Sequence, residues 1–346
     1  MNIAFIVNDV ASEKAGYSTT HLAFSAHKKG HTVFILGVGD LAYYSEGHMG
    51  GRARKAPEKK FKNTEMFLKA MQEQAETAVT AMDLDVLFLR NDPSDDMLDR
   101  PWAQNAGIIF GQIAVNSGVI VLNDPRSLSE AMNKMYFQHF PEAVRPKTLI
   151  TRDIKEIREF YEEQGHRIIL KPLQGSGGKN VFIAKEDDMS NINQMVEAIS
   201  RDGFVIAQEY LTEATEGDIR LFVMNGEALQ TKGKYAAFRR VNDSGDIRSN
   251  VHVGGKIKPV KVDEKILEMV EIIRPKLVMD GMFLVGIDIV GCKLMEINVF
   301  SPGGINASGT LYDVDFADTV IHAIERKVAC KKTYTDKVDN KTIATL

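Results

Sequence analysis

Cysteine is scarce in this chain: Cys292 and Cys330 are the only two in 346 residues. A disulfide framework is therefore excluded as its source of stability, and free thiols in a reducing cytoplasm are expected. Long apolar runs are also lacking. None approaches the ~20 residues that span a bilayer, so no membrane partner is expected. The opening MNIAFIVNDV has neither the basic start nor the small-residue cleavage site of a signal peptide, and it reads as a first strand. With a formal net charge of −4 and no large basic block, general nucleic-acid binding is disfavoured, although a local cationic cleft is compatible. What remains, at 44% hydrophobic and 26% charged residues, is an ordinary soluble composition with enough length for two or three compact units.

Several chemical signatures are missing as well. NDVASEKAG, after the first strand, lacks the glycine-rich dinucleotide fingerprint, which argues against NAD. The eight histidines are scattered without metal-ligand spacing. No Ser/His/Asp arrangement stands out, and Cys292 has only Lys293 beside it as an activator.

Among the features present, strands over 3–8, 31–37, 86–90 and 119–123 alternate with helices over 18–29, 63–82 and 103–116. This alternation predicts an α/β domain with a doubly wound parallel sheet. Ligands of such sheets lie beyond the strand ends, where Arg90 and Asp92 stand as candidates for binding a substrate carboxylate. An Arg90–Asp92 pair across a turn is the plainer alternative. A helix over 127–139 carries Lys134. Short strands over 147–150 and 167–171 follow, then LKPLQGSGGKNVFIA, a strand–glycine loop–strand unit containing Lys171, Gly175, Ser176, Gly177 and Gly178. Such a loop can fold over a polyphosphate with bare amides, or it is a plain hairpin loop. Gln208, Glu209, Tyr210 and Leu211 end an apolar strand in a way that suits an adenine ring or simply solvent. A hairpin over 218–232 turns on Asn225-Gly226. Arg239, Arg240 and Arg248 flank a polar segment that suits a mobile lid over anions or a solvated loop. Helices are expected over 262–279 and 316–329, and the polar tail after 331 is expected to be mobile.

The densest chemistry lies in FLVGIDIVGCKLMEINVF, residues 283–300. Its two apolar runs read as a hairpin. A three-residue turn would place Asp288 opposite Glu296, with Asn298 on the same face. Facing acids inside an apolar hairpin are destabilising, and a divalent cation removes that cost; two carboxylates and an amide oxygen suit Mg²⁺. A solvated face is the alternative.

In this order, the motifs resemble the ATP-grasp ligases, and among them the prokaryotic glutathione synthetases. The resemblance runs from residue 1 to about 329. It rests on Arg-x-Asp-Pro at 90–93, Asn-x-Pro-x-Ser-Leu at 123–128, Leu-Lys-Pro-Leu with its glycine loop at 170–178, Val-Gly-x-Asp-Ile at 285–289 and Glu-Ile-Asn-Val at 296–299. It implies an N-terminal domain over 1–123, an ATP-grasp fold of two α+β subdomains over 124–202 and 203–330, and a tail over 331–346. It also implies an ATP-dependent ligase that joins γ-glutamylcysteine to glycine through an acyl phosphate, with Mg²⁺, or Mn²⁺ in its place, and a homo-oligomer (dimer or tetramer).

By position, Lys134, Lys171 and the 175–178 loop would hold phosphates, 208–211 the adenine, and Asp218 the nucleotide. Arg220 and Arg240 would lie near the transferred phosphoryl group, and Asp288, Glu296 and Asn298 would hold the metal. Arg90, Asp92, Arg248, Asn250, Ser301, Gly303 and Gly304 would contact substrate. Asn91, where the family commonly has lysine, and the GGINASG run at 303–309 depart from the family pattern. A ligase for another amino-acid or peptide pair, and an inactive nucleotide-binding protein, are the competing readings.

Overall fold

A computed structural model describes residues 1–175, 180–188, 191–241, 256–334 and 337–346. The first sheet contains β1 (Asn2–Val7), β2 (Thr32–Gly37), β3 (Leu41–Tyr43), β4 (Met49–Lys55), β5 (Glu76–Thr80), β6 (Val86–Leu89) and β7 (Ile120–Leu122). The expected parallel array is present as β2-β1-β6-β7. Its apolar strands are buried on both faces beneath α1 (Ser18–Lys28), α2 (Thr64–Gln72) and α3 (Ala106–Asn116).

The sheet is nevertheless mixed, because β4 adds antiparallel to β2 and carries β3 and β5. These three strands have no counterpart in the expected elements. β4 reads MGGRARK, whose glycines and charges hide any alternation. The expected helix over 63–82 is corrected to α2 followed by β5. Thr77, Val79 and Thr80 are β-branched, and their strand preference outweighs the helical spacing of Ala75 and Val79.

The next unit is the antiparallel sheet β10-β9-β11-β8, formed from β8 (Thr148–Thr151), β9 (Ile168–Pro172), β10 (Phe182–Ala184) and β11 (Val205–Glu209). Before it, the expected helix over 127–139 is two pieces, α4 (Pro125–Glu130) and a 3-10 helix over Lys134–His139. Asn133 restarts the chain by capping Met135 N at 2.9 Å. Lys134 N donates instead to Leu173 O at 3.0 Å, tying this turn to the end of β9. α5 (Ile154–Glu163) and α6 (Ile192–Ser200) cover one face of the sheet and close a separate core around Tyr161, Leu170 and Ile199.

The third sheet carries the hairpin. It comprises β12 (Asp218–Met224), β13 (Glu227–Ala228), β16 (Ala237–Val241), β17 (Lys256–Lys258), β18 (Leu284–Val290) and β19 (Lys293–Asn298), with β14 (Gln230–Thr231) and β15 (Lys234–Tyr235) pairing beside it. Asn225 and Gly226 both take positive φ in the turn from β12 to β13, as a tight hairpin turn requires. After α7 (Glu264–Met279) and the hairpin come α8 (Ile305–Tyr312) and α9 (Phe316–Tyr334).

The tail does not match the expected mobile end. Its described part forms α10 (Asn340–Thr345), which buries Ile343 and Ala344. Asn340 there hydrogen-bonds both Val121 N and Val121 O at 2.9 Å and donates to Asp124 at 2.9 Å. No helix among the described residues is long and apolar enough to cross a membrane.

Candidate active site

One cavity of about 850 Å³ opens between the three sheets. Every candidate residue the structure describes lines it. It is reached from the first sheet at the switch point between β1 and β6, from β9 and β11, and from one face of the hairpin sheet. Ser176, Gly177, Gly178, Arg248 and Asn250, together with the proposed lid from 242 onward, lie outside the described residues.

The hairpin aligns as expected, by a different route. Its turn has two residues, Gly291 and Cys292, because Val290 pairs with Lys293. A bulge beyond Ile289–Leu294 then leaves Met295 as the extra residue, which restores Asp288 opposite Glu296 and Gly286 opposite Asn298. Charges on the neighbouring strands share this face by the two-residue period. Arg220 on β12 faces Asp288, and Asp218 on β12 faces Arg240 on β16. Gly286 has to be glycine, since a Cβ there would lie 2.8 Å from Pro302 Cβ and 3.2 Å from Arg220 Cδ.

The cost of facing acids is met in part by arginine. Arg220 Nε donates to Asp288 Oδ1 and Nη2 to Asp288 Oδ2 at 2.9 Å, and Arg240 Nη2 reaches Oδ2 at 2.9 Å. Arg240 Nε also grips both Asp218 oxygens, at 3.1 and 3.0 Å. Burial pushes the Asp288 carboxyl up, but Arg220 and then Arg240 outweigh it and hold the group at about 2. For Arg240, burial works to lower its pKa, yet Asp288 and Asp218 together raise it.

Does this set fit a divalent cation? No group of three or more His, Cys, Asp or Glu is placed to hold a metal ion among the described residues, so these side chains alone build no closed cage. Two carboxylates and the Asn298 amide suit Mg²⁺, which takes its other ligands from phosphates and water. Asn298 Nδ2 lies 3.3 Å from Asp288 Oδ2, leaving its amide oxygen for a cation. No side-chain donor among the described residues hydrogen-bonds Glu296. The donor set fits.

The cations come from the opposite wall. Lys134 Nζ donates to Gly175 O, the first carbonyl of the glycine loop. Lys171 Nζ donates to Gln208 Oε1 at 3.0 Å. Burial lowers the Lys171 ammonium to about 8, against the upward pull of Glu296. Gln208, expected in the adenine pocket, is buried and bridges Lys171 to Thr148 Oγ1 at 3.1 Å. It still lines the cavity while it accepts from the Lys171 ammonium. Glu209 is likewise engaged, accepting Lys147 N at 3.0 Å. Tyr210 packs its ring under the Arg167 guanidinium, 3.9 Å from the centroid.

Arg90 does not pair with Asp92, so the plainer alternative is not realised. Asp92 caps a 3-10 turn by accepting Ser94 N at 2.9 Å. Arg90 instead donates to Thr19 Oγ1 and to the carbonyls of Phe300 and Pro302. The departure at Asn91 lies outside the cavity lining, buried against Gly107. Gly303 O accepts Arg220 Nη1 at 3.3 Å, and Gly304 N donates to Ser18 Oγ at 3.1 Å. Gly304 sits at φ 105°, where a Cβ would fall 2.6 Å from the Phe238 ring.

Sequence reasoning missed three contributors. Asn123 clamps both hairpin strands through Leu284 and Val299, and its only sequence signal was the 123–128 motif. Ser18 holds the start of α8. Glu13 faces the cavity from the loop after β1, and nothing in the local sequence distinguishes it from its polar neighbours.

The family model for the prokaryotic glutathione synthetase N-terminal domain matches residues 1–129, and the model for that family's ATP-grasp domain matches 133–312. Glutathione synthetase of Synechocystis sp. is 31% identical over 333 residues, covering 94% of this chain and 100% of that protein. The Agrobacterium fabrum glutathione synthetase is 36% identical over 246 residues, covering 70% and 72%. Among solved structures, D-cycloserine synthetase DcsG shares the fold with a TM-score of 0.61 at 14% identity, covering 94% of this chain and 99% of that one. The ATP-grasp ligase PsnB, complexed with minimal precursor, Mg and ADP, gives 0.58 at 16% identity, covering 94% and 98%. With both domain models matched in order along the sequence, the chain belongs to the prokaryotic glutathione synthetase family and is an ATP-dependent ligase of the ATP-grasp fold.

Proposed function

We propose that this chain joins γ-glutamylcysteine to glycine, consuming ATP and releasing glutathione, ADP and phosphate, with Mg²⁺ or Mn²⁺ as the cation. One observation carries the assignment of chemistry to residues. Lys134, Lys171, Arg220 and Arg240 line the same cavity as the Asp288–Glu296–Asn298 row. That arrangement concentrates positive charge where phosphates need it, beside oxygen donors for a metal.

In the reaction, a carboxylate oxygen of the acid attacks the γ-phosphorus of ATP, and the bond to the ADP oxygen breaks. The amine nitrogen of glycine then adds to the acyl carbon of the acyl phosphate. Phosphate leaves with the C–O bonding pair, and the nitrogen loses a proton. Lys134 and Lys171 hold the phosphate oxygens, and Arg220 and Arg240 face the transferred group. Catalysis of this kind rests on positioning and charge neutralisation. Asp288, Glu296 and Asn298 would hold the cation, whose contribution is to neutralise phosphate charge. Gln208 keeps the Lys171 ammonium aimed, and backbone carbonyls of the 300–303 turn fix Arg90 and Arg220 side by side.

We also place the enzyme in the cytoplasm, in keeping with two free thiols. ADP release from purified protein tests the function. Turnover should require ATP, the divalent cation, γ-glutamylcysteine and glycine together. Turnover confined to another acid–amine pair would overturn the assignment.

A further inference from the structure

Two charged groups face the cavity from the switch point, where the connections from neighbouring strands β1 and β6 run to opposite sides of the sheet. Such points are where open α/β sheets bind ligands. Arg90 follows β6 directly, and Glu13 follows β1 after a short helical turn, Val10–Ser12.

Arg90 is 2% exposed, yet its hydrogen bonds all go to neutral oxygens: Thr19 Oγ1 at 3.2 Å, Pro302 O at 3.2 Å and Phe300 O at 3.4 Å. A guanidinium has five N–H donors, so about two remain. No carboxylate of the described residues lies within ion-pair range of it. Glu13 is in the matching position. Its carboxylate accepts one long contact, from Thr20 Oγ1 at 3.5 Å, and that hydroxyl has a nearer acceptor in Lys14 O at 2.9 Å.

Glu13 and Arg90 feel each other's charge, yet no ion pair joins them. Burial raises the Glu13 carboxyl to about 7 and lowers Arg90 to about 10. Two desolvated charges that line one cavity without touching forgo the Coulomb gain that would offset their burial. A molecule carrying both an ammonium and a carboxylate supplies each with its partner.

The acid substrate of the reaction proposed above ends in such a group, the α-amino-carboxylate of its glutamyl residue. Glycine carries both charges too. Its nitrogen, however, has to shed a proton and turn its lone pair toward the acyl carbon, which an ammonium held on a carboxylate cannot do. We propose that Glu13 and Arg90 form the subsite for the zwitterionic α-amino-acid head of the acid substrate, Glu13 accepting from its ammonium and Arg90 donating to its carboxylate. This inference rests on the function proposed above, and it makes Glu13 a specificity-determining residue.

Calorimetric titration of the full-length protein with γ-glutamylcysteine, and with N-glutarylcysteine, the same molecule lacking the amino group, tests it. Wild type should bind the first at least tenfold more tightly. Glu13→Gln, which keeps the shape and removes the charge, should bind the two alike, while its KM values for ATP and glycine stay within twofold. Glu13→Asp, which withdraws the carboxylate by one methylene, should discriminate to an intermediate degree and serves in its place if the glutamine variant does not fold. Equal binding by wild type, or undiminished discrimination in the variants, overturns the subsite. So does a rise in KM for glycine alone, which would place the pair at the amine. Wild type that discriminates by calorimetry yet releases no ADP with γ-glutamylcysteine and glycine keeps the subsite and removes the reaction.

Discussion

Asp288 joins the electrostatics of the site to the stability of the fold. Its carboxyl is held at about 2, below the usual ~3.9 of an unfolded chain. On acidification the unfolded chain takes up this proton first. The group therefore contributes stability that is present above about pH 4 and is lost as pH falls toward 2, on the order of 2 kcal/mol. Asp288→Asn should flatten that acid limb in urea unfolding measured from pH 2 to 5. It should also lower Mg²⁺-dependent ADP release by two or more orders of magnitude, because it removes a proposed metal ligand and leaves two buried guanidiniums short of charge. Glu13 runs the other way. Its carboxyl is raised to about 7, so the protonated form's advantage is full below about pH 4.5 and is lost as pH rises through 7. Glu13→Gln should therefore be more stable than wild type at pH 8, by about 1–3 kcal/mol, which thermal unfolding at pH 5 and pH 8 would show. At Gln208 the expected effect is on nucleotide binding. Gln208→Leu leaves Lys171 without its acceptor and should raise KM for ATP several-fold with a smaller change in kcat.

At the scale of one element, the hairpin β18–β19 depends on a single extra residue. The two-residue turn alone would pair Asp288 with Met295; the bulge places Glu296 there instead. Since the side-chain period of a strand is two, a one-residue slip turns every following side chain to the other face. Inserting one alanine between Met295 and Glu296 should therefore carry Glu296 and Asn298 off the cavity face, whereas deleting Met295 only removes the bulge and leaves Glu296 opposite Asp288. The expected result of the insertion is loss of measurable turnover and of Mg²⁺-dependent nucleotide binding, with cooperative unfolding retained. Native activity in the insertion variant would show that the hairpin absorbs a second extra residue and that the bulge does not set the register. The sequence made the alignment visible, because two acids and an amide stood at alternating positions in apolar runs. It did not show the route, because turn length and bulge compensate each other and leave the same pattern of residues.

For the whole molecule, the tail matters more than its polarity suggests. Ile343 and Ala344 are buried, and Asn340 spans Val121 and Asp124. Burying one isoleucine contributes roughly 2 kcal/mol. A chain ending at Tyr334 should thus melt several degrees lower, as read by differential scanning calorimetry, with KM for ATP little changed, since α10 lies outside the cavity lining.

The sequence alone determined the parallel core of the first sheet, the strands on either side of the glycine-rich segment, and the facing hairpin acids. Each is a local pattern whose period or spacing survives in one dimension. It also placed the described candidate residues around what proved to be one cavity, because the motifs keep their order along the chain. Only the tertiary structure decided what each charge is paired with. Arg220 and Arg240, 20 residues apart, meet on Asp288 because β12 lies between β16 and β18. Gln208 became a lysine's partner through the pairing of β11 with β9. Glu13 and Arg90, 77 positions apart in sequence, face one cavity because β1 and β6 are neighbours at the switch point. Burial and the identity of an opposing charge depend on neighbours distant in sequence, and no local pattern of residues records them.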